Sequence, residues 1–417
     1  MTYRRAAIPA VVGGLLLTVL LWWAGASESA LRLRGSTDVL GAQTAAELER
    51  WLAPWSYDPP GSARIGAELS AGTGYPALSG SSRYLALYET ALQIRFAAVF
   101  AFFVPGALLL VRRLPPVRGR MTAALLAVWA WGLVAGTLAV TVSAPWLIAA
   151  QGHGSYRFLP QLAGVISSGR QILVATALVT GVATVLMARV TAKGAGPLPR
   201  EVVPAHAARL AATAGTALIA LSLVILSYQS VAASIQTAFS GGGLLSEPGD
   251  LLRQWLLLGA WSGPAGTSLG DWLLYRAVDV LLLAAVWWAL RLLPGLLTRA
   301  TVPALAIGAV CATVLGLLTS QLLRMLLEGT NLRWDLYLAA DFGGGVPAAL
   351  TWGLPAGVAT AVTLRTAVAR TATRETTEPA KSTSREAVLH RPHRPARPPD
   401  PDPRHADQAH DQDDRTA

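Results

Sequence analysis

The sequence predicts an all-α, polytopic transmembrane helical bundle of about eight spans, and three observations carry that reading. Hydrophobic residues make up 53% of the 417 residues and charged residues only 14%, with a mean hydropathy of +0.44. Soluble domains average about 25% charged residues. Eight apolar runs approach the ~20 residues that a helix needs to cross about 30 Å of hydrocarbon. Arginines recur at every second connection between them, the bias that orients a chain in a bilayer.

The runs are Ala6–Gly25, Phe96–Val111, Met121–Val142, Ile172–Val190, Leu210–Ser230, Ala277–Leu293, Val302–Leu323 and Val346–Thr363. Lipid offers no hydrogen-bond partner to a backbone, so each run must satisfy its own amides, which a helix does. All eight are too long for barrel strands of about 9–11 residues.

One side of the bundle holds Arg4 and Arg5, then Arg112, Arg113, Arg118 and Arg120, then Lys193, Arg200 and Arg209, then Arg291 and Arg299. The opposite loops mix signs: Ser27–Gln93 has five arginines against seven acids. The basic side is expected to be cytoplasmic, with both termini inside. The expected organisation is a transmembrane domain over 1–366, with outward loops 27–94, 143–171, 231–276 and 324–345. A disordered cytoplasmic tail over 367–417 follows, where Pro392, Pro395, Pro398 and Pro399 stand among charges with little apolar surface to offset ordering entropy. Only Lys193 and Lys381 are lysine among 34 basic residues, a composition that suggests a GC-rich bacterial genome and hence a bacterial cytoplasmic membrane.

The first run resembles a signal peptide, with Arg4-Arg5 ahead of it and Ala24-Gly25-Ala26 after it. Ala6 to Trp23 is 18 residues, against about 7–15 for a cleavable apolar region, so a retained anchor is expected. In the first outer loop Thr44-Ala45-Ala46-Glu47 matches a capping box, and Leu48, Trp51, Leu52 and Trp55 share one helical face. A second amphipathic helix is expected from about Ser246, carrying Leu251, Leu252, Trp255, Leu256 and Leu258. These loop tryptophans read as an aromatic belt at the headgroup boundary.

Two helix entrances share a motif. Trp272-Leu273-Leu274-Tyr275-Arg276-Ala277-Val278-Asp279 precedes the sixth run, and Trp334-Asp335-Leu336-Tyr337-Leu338-Ala339-Ala340-Asp341 precedes the eighth. Both read W-x-L-Y-x-A-x-D, with a weaker echo at Leu85-Ala86-Leu87-Tyr88, which suggests parallel two-helix repeats. Trp and Tyr three residues apart lie on nearly one face and anchor a helix at the interface, and an early acid suits the positive helix start. Asp279 lies about one turn inside its span with Arg276 at i−3, and intramembrane acids mark polar sites. The pair forms the candidate intramembrane site, for a cation, a proton or a lipid headgroup, or equally a link between two helices.

Other chemistry is sparse. Gly266-Thr267-Ser268-Leu269-Gly270 matches a nucleophile elbow in letters, but no strand precedes it. His153 reads as a turn residue. Glu28 and Asp38 stand apart, without the acidic pair that many lipid-linked glycosyltransferases carry in this loop. P-loops, dinucleotide motifs and cysteine clusters are absent, and Cys311 is the single cysteine, so no cofactor is expected. The basic excess of +10 is topological and suits anionic lipid rather than nucleic acid. The bilayer is the expected partner, with envelope proteins docking on the outer loops or the tail. The first expectation for function is an accessory or scaffold protein of the bacterial envelope. The alternatives are a transporter or lipid-handling permease using Asp279, and an outward-facing enzyme on a lipid-linked substrate, an enzyme being the less expected class.

Overall fold

The computed structural model describes residues 3–31, 41–58, 80–115, 119–150, 158–192, 203–237, 247–259, 268–328 and 342–377. The structure is 89% helical and has no strand among these residues. In chain order the helices are α1 (Tyr3–Ala26), α2 (Glu28–Leu31), α3 (Ala42–Leu52), α4 (Gly80–Arg113), α5 (Met121–Ala150), α6 (Phe158–Ser167) and α7 (Arg170–Thr191). Then come α8 (Ala205–Ala220), α9 (Gln229–Thr237), α10 (Gly249–Leu256), α11 (Leu269–Leu296), α12 (Val302–Glu328) and α13 (Val346–Thr377). Residues 1–368 form one compact unit and 369–417 a second.

Among the described residues, eight helices are long and apolar enough to cross a membrane: α1, α4, α5, α7, α8 with its π-helical extension Leu221–Leu226, α11, α12 and α13. Each corresponds to one apolar run, but several reach further. Helix α4 begins at Gly80, α5 continues to Ala150, α12 continues to Glu328 and α13 runs to Thr377. Outer loops 27–94, 143–171, 231–276 and 324–345 are therefore partly helical, and the helix continues past residue 366. The polar residues that end an apolar run do not end a helix; they are good helix formers and fall on the turns beyond the hydrocarbon. Tail residues 378–417 lie outside the described residues.

The spans make the same contacts twice. In the first half α1 packs on α4 and α7, and α5 packs on α4 and α7. In the second half α11 packs on α8 and α12, while α13 closes against α12 and α8 through glycines. A Cβ on Gly353 would lie 2.7 Å from Val310 Cα, and one on Gly357 would collide with Ala306 Cα. A Cβ on Gly215 would meet Thr360 and Ala356 in the same way. Each half is thus a ring of four helices in sequence order, and the repeat in the contacts is a four-helix unit, larger than the two-helix unit suggested by the entrance motif. Gly132 and Gly136 seat α5 on Ala177 and Leu173 of α7; both small-residue pairs serve close packing.

Helices α5 and α12, the third span of each half, meet at the seam, where Cys311 Sγ contacts the Ala127 carbonyl at 3.3 Å. They carry the core: Val128, Leu133, Val134, Ala309, Val310 and Val314 are at most 1% exposed. The outer faces of α1, α7, α8 and α11 stay apolar and exposed, at Leu15, Val19, Val179, Leu186, Ile225, Leu281 and Trp288. Large exposed aliphatic faces on long helices suit lipid as solvent. Helix α1 is an integral part of its ring, with Ala6, Ala10, Leu17 and Leu21 fully buried.

The first outer loop folds onto the bundle instead of floating at its edge. Trp55 is 1% exposed, packs on Phe96, and donates its indole N–H to the Gly169 carbonyl at 3.1 Å. The belt reading of Trp55 is corrected: the ring fills a gap between α1, α4 and α7, where burying a large aromatic gains more than interfacial placement. The expected capping box is corrected as well. Helix α3 starts at Ala42 behind Gly41, without a side-chain cap, which places Thr44 inside the first turn.

Candidate functional site

The polar centre forms where α11 and α12 approach at the end of the bundle that bears the larger loops. Arg276 and Asp279 are one turn apart on α11, and their side chains meet at 2.6 Å, Nη1 to Oδ2. Arg324, from the outer turns of α12, donates from Nη2 to the other carboxylate oxygen, also at 2.6 Å. Asp279 is 7% exposed. Both of its oxygens face guanidinium groups. Two arginines on one acid leave a net positive charge at this level.

Arg324 escapes the sequence reading because the seventh apolar run is cut at Leu323. A signal is present in the letters: Leu322-Leu323-Arg324-Met325-Leu326-Leu327 continues the apolar pattern on both sides of the arginine. A cation inside such a run, at the end without basic turns, has to find a partner.

Above this centre opens a cavity of about 760 Å³. Arg170, Asp250, Arg253, Gln254, Asp279, Gln321 and Arg324 line it beside the apolar Leu223, Leu282, Leu317, Met325 and Phe342. Leu282 follows Asp279 on α11 and Leu317 precedes Arg324 on α12. The two helices are antiparallel neighbours, so both leucines lie deeper than the charged pair. The wall is therefore mixed, with Leu282 and Leu317 below the charged pair and Met325 beside it. One side is built by Gln321, whose side chain accepts from the Gly343 amide at 3.0 Å and donates to the Gly344 carbonyl at 2.9 Å. This clamp holds the turn before α13, where Gly343 and Gly345 have φ values of 84° and 78° that a side chain would strain. The other side is set by Ser222 and Ser227 of the π-helical turn, which accept from the Leu258 and Gly259 amides at 3.3 and 3.2 Å. Gln254 donates to the Ala163 carbonyl at 2.8 Å and ties α10 to α6.

The first half contains a counterpart at a similar depth. Arg95 stands about five turns before the end of α4, and Ser143 about six turns after the start of α5. Asp279 likewise stands about five turns before the end of α11, and Arg324 about six turns after the start of α12. Arg95 Nε donates to Ser143 Oγ at 2.9 Å, so in each half a guanidinium bridges the second and third spans. Around Arg95 the space is filled by the chain itself. The Pro54 carbonyl accepts from its Nη1 and the Trp55 ring stands 5.6 Å away, leaving Arg95 0% exposed. Tyr88 secures this plug by donating to the Ser56 carbonyl at 2.8 Å. The glycines before the fourth spans match too, Gly169 at φ 69° and Gly345 at φ 78°.

Of the sequence-derived site residues, Arg276 and Asp279 are in contact. Trp272 and Tyr275 are half-buried on α11 and outside the cavity wall. Trp334, Tyr337 and Asp341 lie outside the described residues, as does His153. Ser268 is a helix cap: its Oγ accepts from the Asp271 amide at 3.1 Å and donates to the Asp271 carboxylate at 2.7 Å. That reciprocal arrangement is capping chemistry. Among the described residues no group of three or more His, Cys, Asp or Glu could hold a metal. No family model, curated protein or solved structure matches this chain.

Proposed function

We propose that this is a lipid-handling membrane protein whose working site is the cavity above Asp279. The observation that carries the reading is the mixed wall: three arginines and two glutamines line the same cavity as Leu282 and Leu317, which lie deeper than the charged pair. A ligand that fits has a polar head and an apolar body, the head held where the charges are and the body directed towards the bilayer centre. A lipid approaching from the surrounding leaflet meets the site in that orientation.

The arginine-bearing turns support a cytoplasmic side at the opposite end, with both termini inside a bacterial cytoplasmic membrane and the cavity in the outer half. The packing of α1 supports its retention as an anchor. A metal-cation site at Asp279 is disfavoured, because each oxygen already faces a guanidinium and an incoming cation would meet two like charges.

Gly164 supplies the test. It lines the cavity on α6, and a Cβ added there meets nothing within 4 Å. Gly164→Trp should fold normally and occupy the opening. Lipid co-purifying with the full-length protein, counted by native mass spectrometry, should fall in this variant. Unchanged lipid retention in a well-folded Gly164→Trp protein would leave a scaffold role, with envelope partners on the outer loops, as the better account.

A further inference from the structure

We infer that α9 and α10 form a lid on one side of the cavity, latched by Ser222 and Ser227 of the π-helical turn; this rests on the lipid-handling reading above. Asp250, Arg253 and Gln254 of α10, with Leu257, Leu258 and Gly259 after it, line the cavity. The two helices form one body. Gln236 of α9 donates to the Asp250 carboxylate at 3.1 Å, and a Cβ on Gly249 would collide with the Gln236 carbonyl. No residue of α9 is buried, so this part swings without stripping cover from apolar side chains, as elements that open at low cost do. Buried Leu257 and Leu258 favour the closed position.

The latch depends on the π-helical geometry. On an α-helix, residues five apart point about 140° away from each other. Here the Ser227 amide donates to the Ser222 carbonyl, five residues back, at 3.1 Å, and both hydroxyls reach the same short segment. Ser222 Oγ donates to the Leu256 carbonyl at 2.5 Å and accepts from the Leu258 amide, while Ser227 Oγ accepts from the Gly259 amide. Trp352 of α13 adds its indole N–H to the Leu256 carbonyl at 2.9 Å. Single π turns inside helices recur at working sites. Return of this one to α geometry turns Ser227 away from Ser222 and frees Gly259. The matching loop end in the first half is seated differently: Trp55 rests against Gly169 as Leu258 does against Gly345, but by a buried ring beside the Arg95 guanidinium. Hydroxyl-to-backbone hydrogen bonds exchange with water at small net cost, which suits a latch.

Hydrogen exchange of the full-length protein in phosphatidylcholine nanodiscs, read by mass spectrometry, follows the latch directly. The peptide spanning 250–259 should exchange about tenfold or more faster than peptides from α5 and α12. Ser222→Ala combined with Ser227→Ala should speed it about fivefold further and leave α5 and α12 unchanged. Fluorescent-tailed phosphatidylcholine supplied from phosphatidylcholine vesicles should then enter and leave the cavity about fivefold faster, with affinity within about twofold of wild type. Gln254→Ala, which removes the bond from α10 to Ala163, gives the same readouts if the double variant does not fold. Exchange at 250–259 as slow as in α12, and indifferent to these variants, overturns the lid. Weaker lipid affinity with an unchanged entry rate marks a fixed wall and overturns it as well. Faster local exchange with unchanged lipid rates, in protein whose binding Gly164→Trp still blocks, overturns the lid as the lipid's entrance. Lipid binding insensitive to Gly164→Trp overturns the lipid-handling reading, while the exchange result still decides whether α9 and α10 open.

Discussion

At Asp279 one carboxylate holds two guanidinium groups from different helices, and its value lies in what it arranges. Ion pairs buried this way are costly to assemble and costlier to break, since removing one member strands the others in a low-dielectric setting. Asp279→Asn should lower the thermal stability of the purified protein by about 3–5 kcal/mol. The loss should be much smaller when Arg276 and Arg324 are replaced by Met in the same chain. A single variant as stable as wild type would show that the ion pairs are not formed in solution. The pair Arg276–Asp279 was readable from the i, i+3 spacing alone. Arg324 was not, because its partner lies 45 residues away. No periodicity reports a contact between two helices.

Among the elements, glycine decides which helices can approach. Gly353 and Gly357 bring α13 onto α12 so closely that a Cβ at Gly357 would overlap the backbone of Ala306. Backbone cannot shift as a flexible side chain can, so Gly357→Val should destabilise by about 1–3 kcal/mol or more, and membrane abundance should drop with it. Gly164→Val, on the open surface of α6, is the matched control and should leave abundance near wild type. The four-residue spacing of Gly353 and Gly357 is a property of the chain alone. Which helix it faces is not. The short loop helices illustrate the same limit: α3 and its tryptophans are amphipathic in sequence, and an amphipathic face suits a headgroup layer as well as a protein groove. Only the gap between α1, α4 and α7 decides for the groove at Trp55.

For the molecule as a whole, two four-helix rings stand side by side, one with Pro54 and Trp55 closed over its arginine and the other with a cavity lined by Asp279 and Arg324. Topology is the property that most directly tests the proposed setting. Cys311 is 2% exposed, so background labelling should be low. A cysteine at Ser36 should react with a membrane-impermeant maleimide in intact cells and one at Ser382 only after lysis. Labelling at Ser382 alone in intact cells would invert the bundle and move the cavity to the cytoplasmic leaflet.

The number of spans, their helical state and the side bearing the basic turns follow from composition and hydropathy along the chain, because transfer of each segment into lipid is a local free energy. The aromatic–acid spacing at the entrance to α11 likewise placed Arg276 and Asp279 together, since neighbours one turn apart are a local property. The pairing of Arg324 with Asp279, the matching Arg95–Ser143 bridge, the Trp55 plug and the cavity are settled only by tertiary packing. Each joins residues remote in sequence, and inside a bilayer hydropathy makes one apolar helix surface look like another. Shape and buried charge choose the partners.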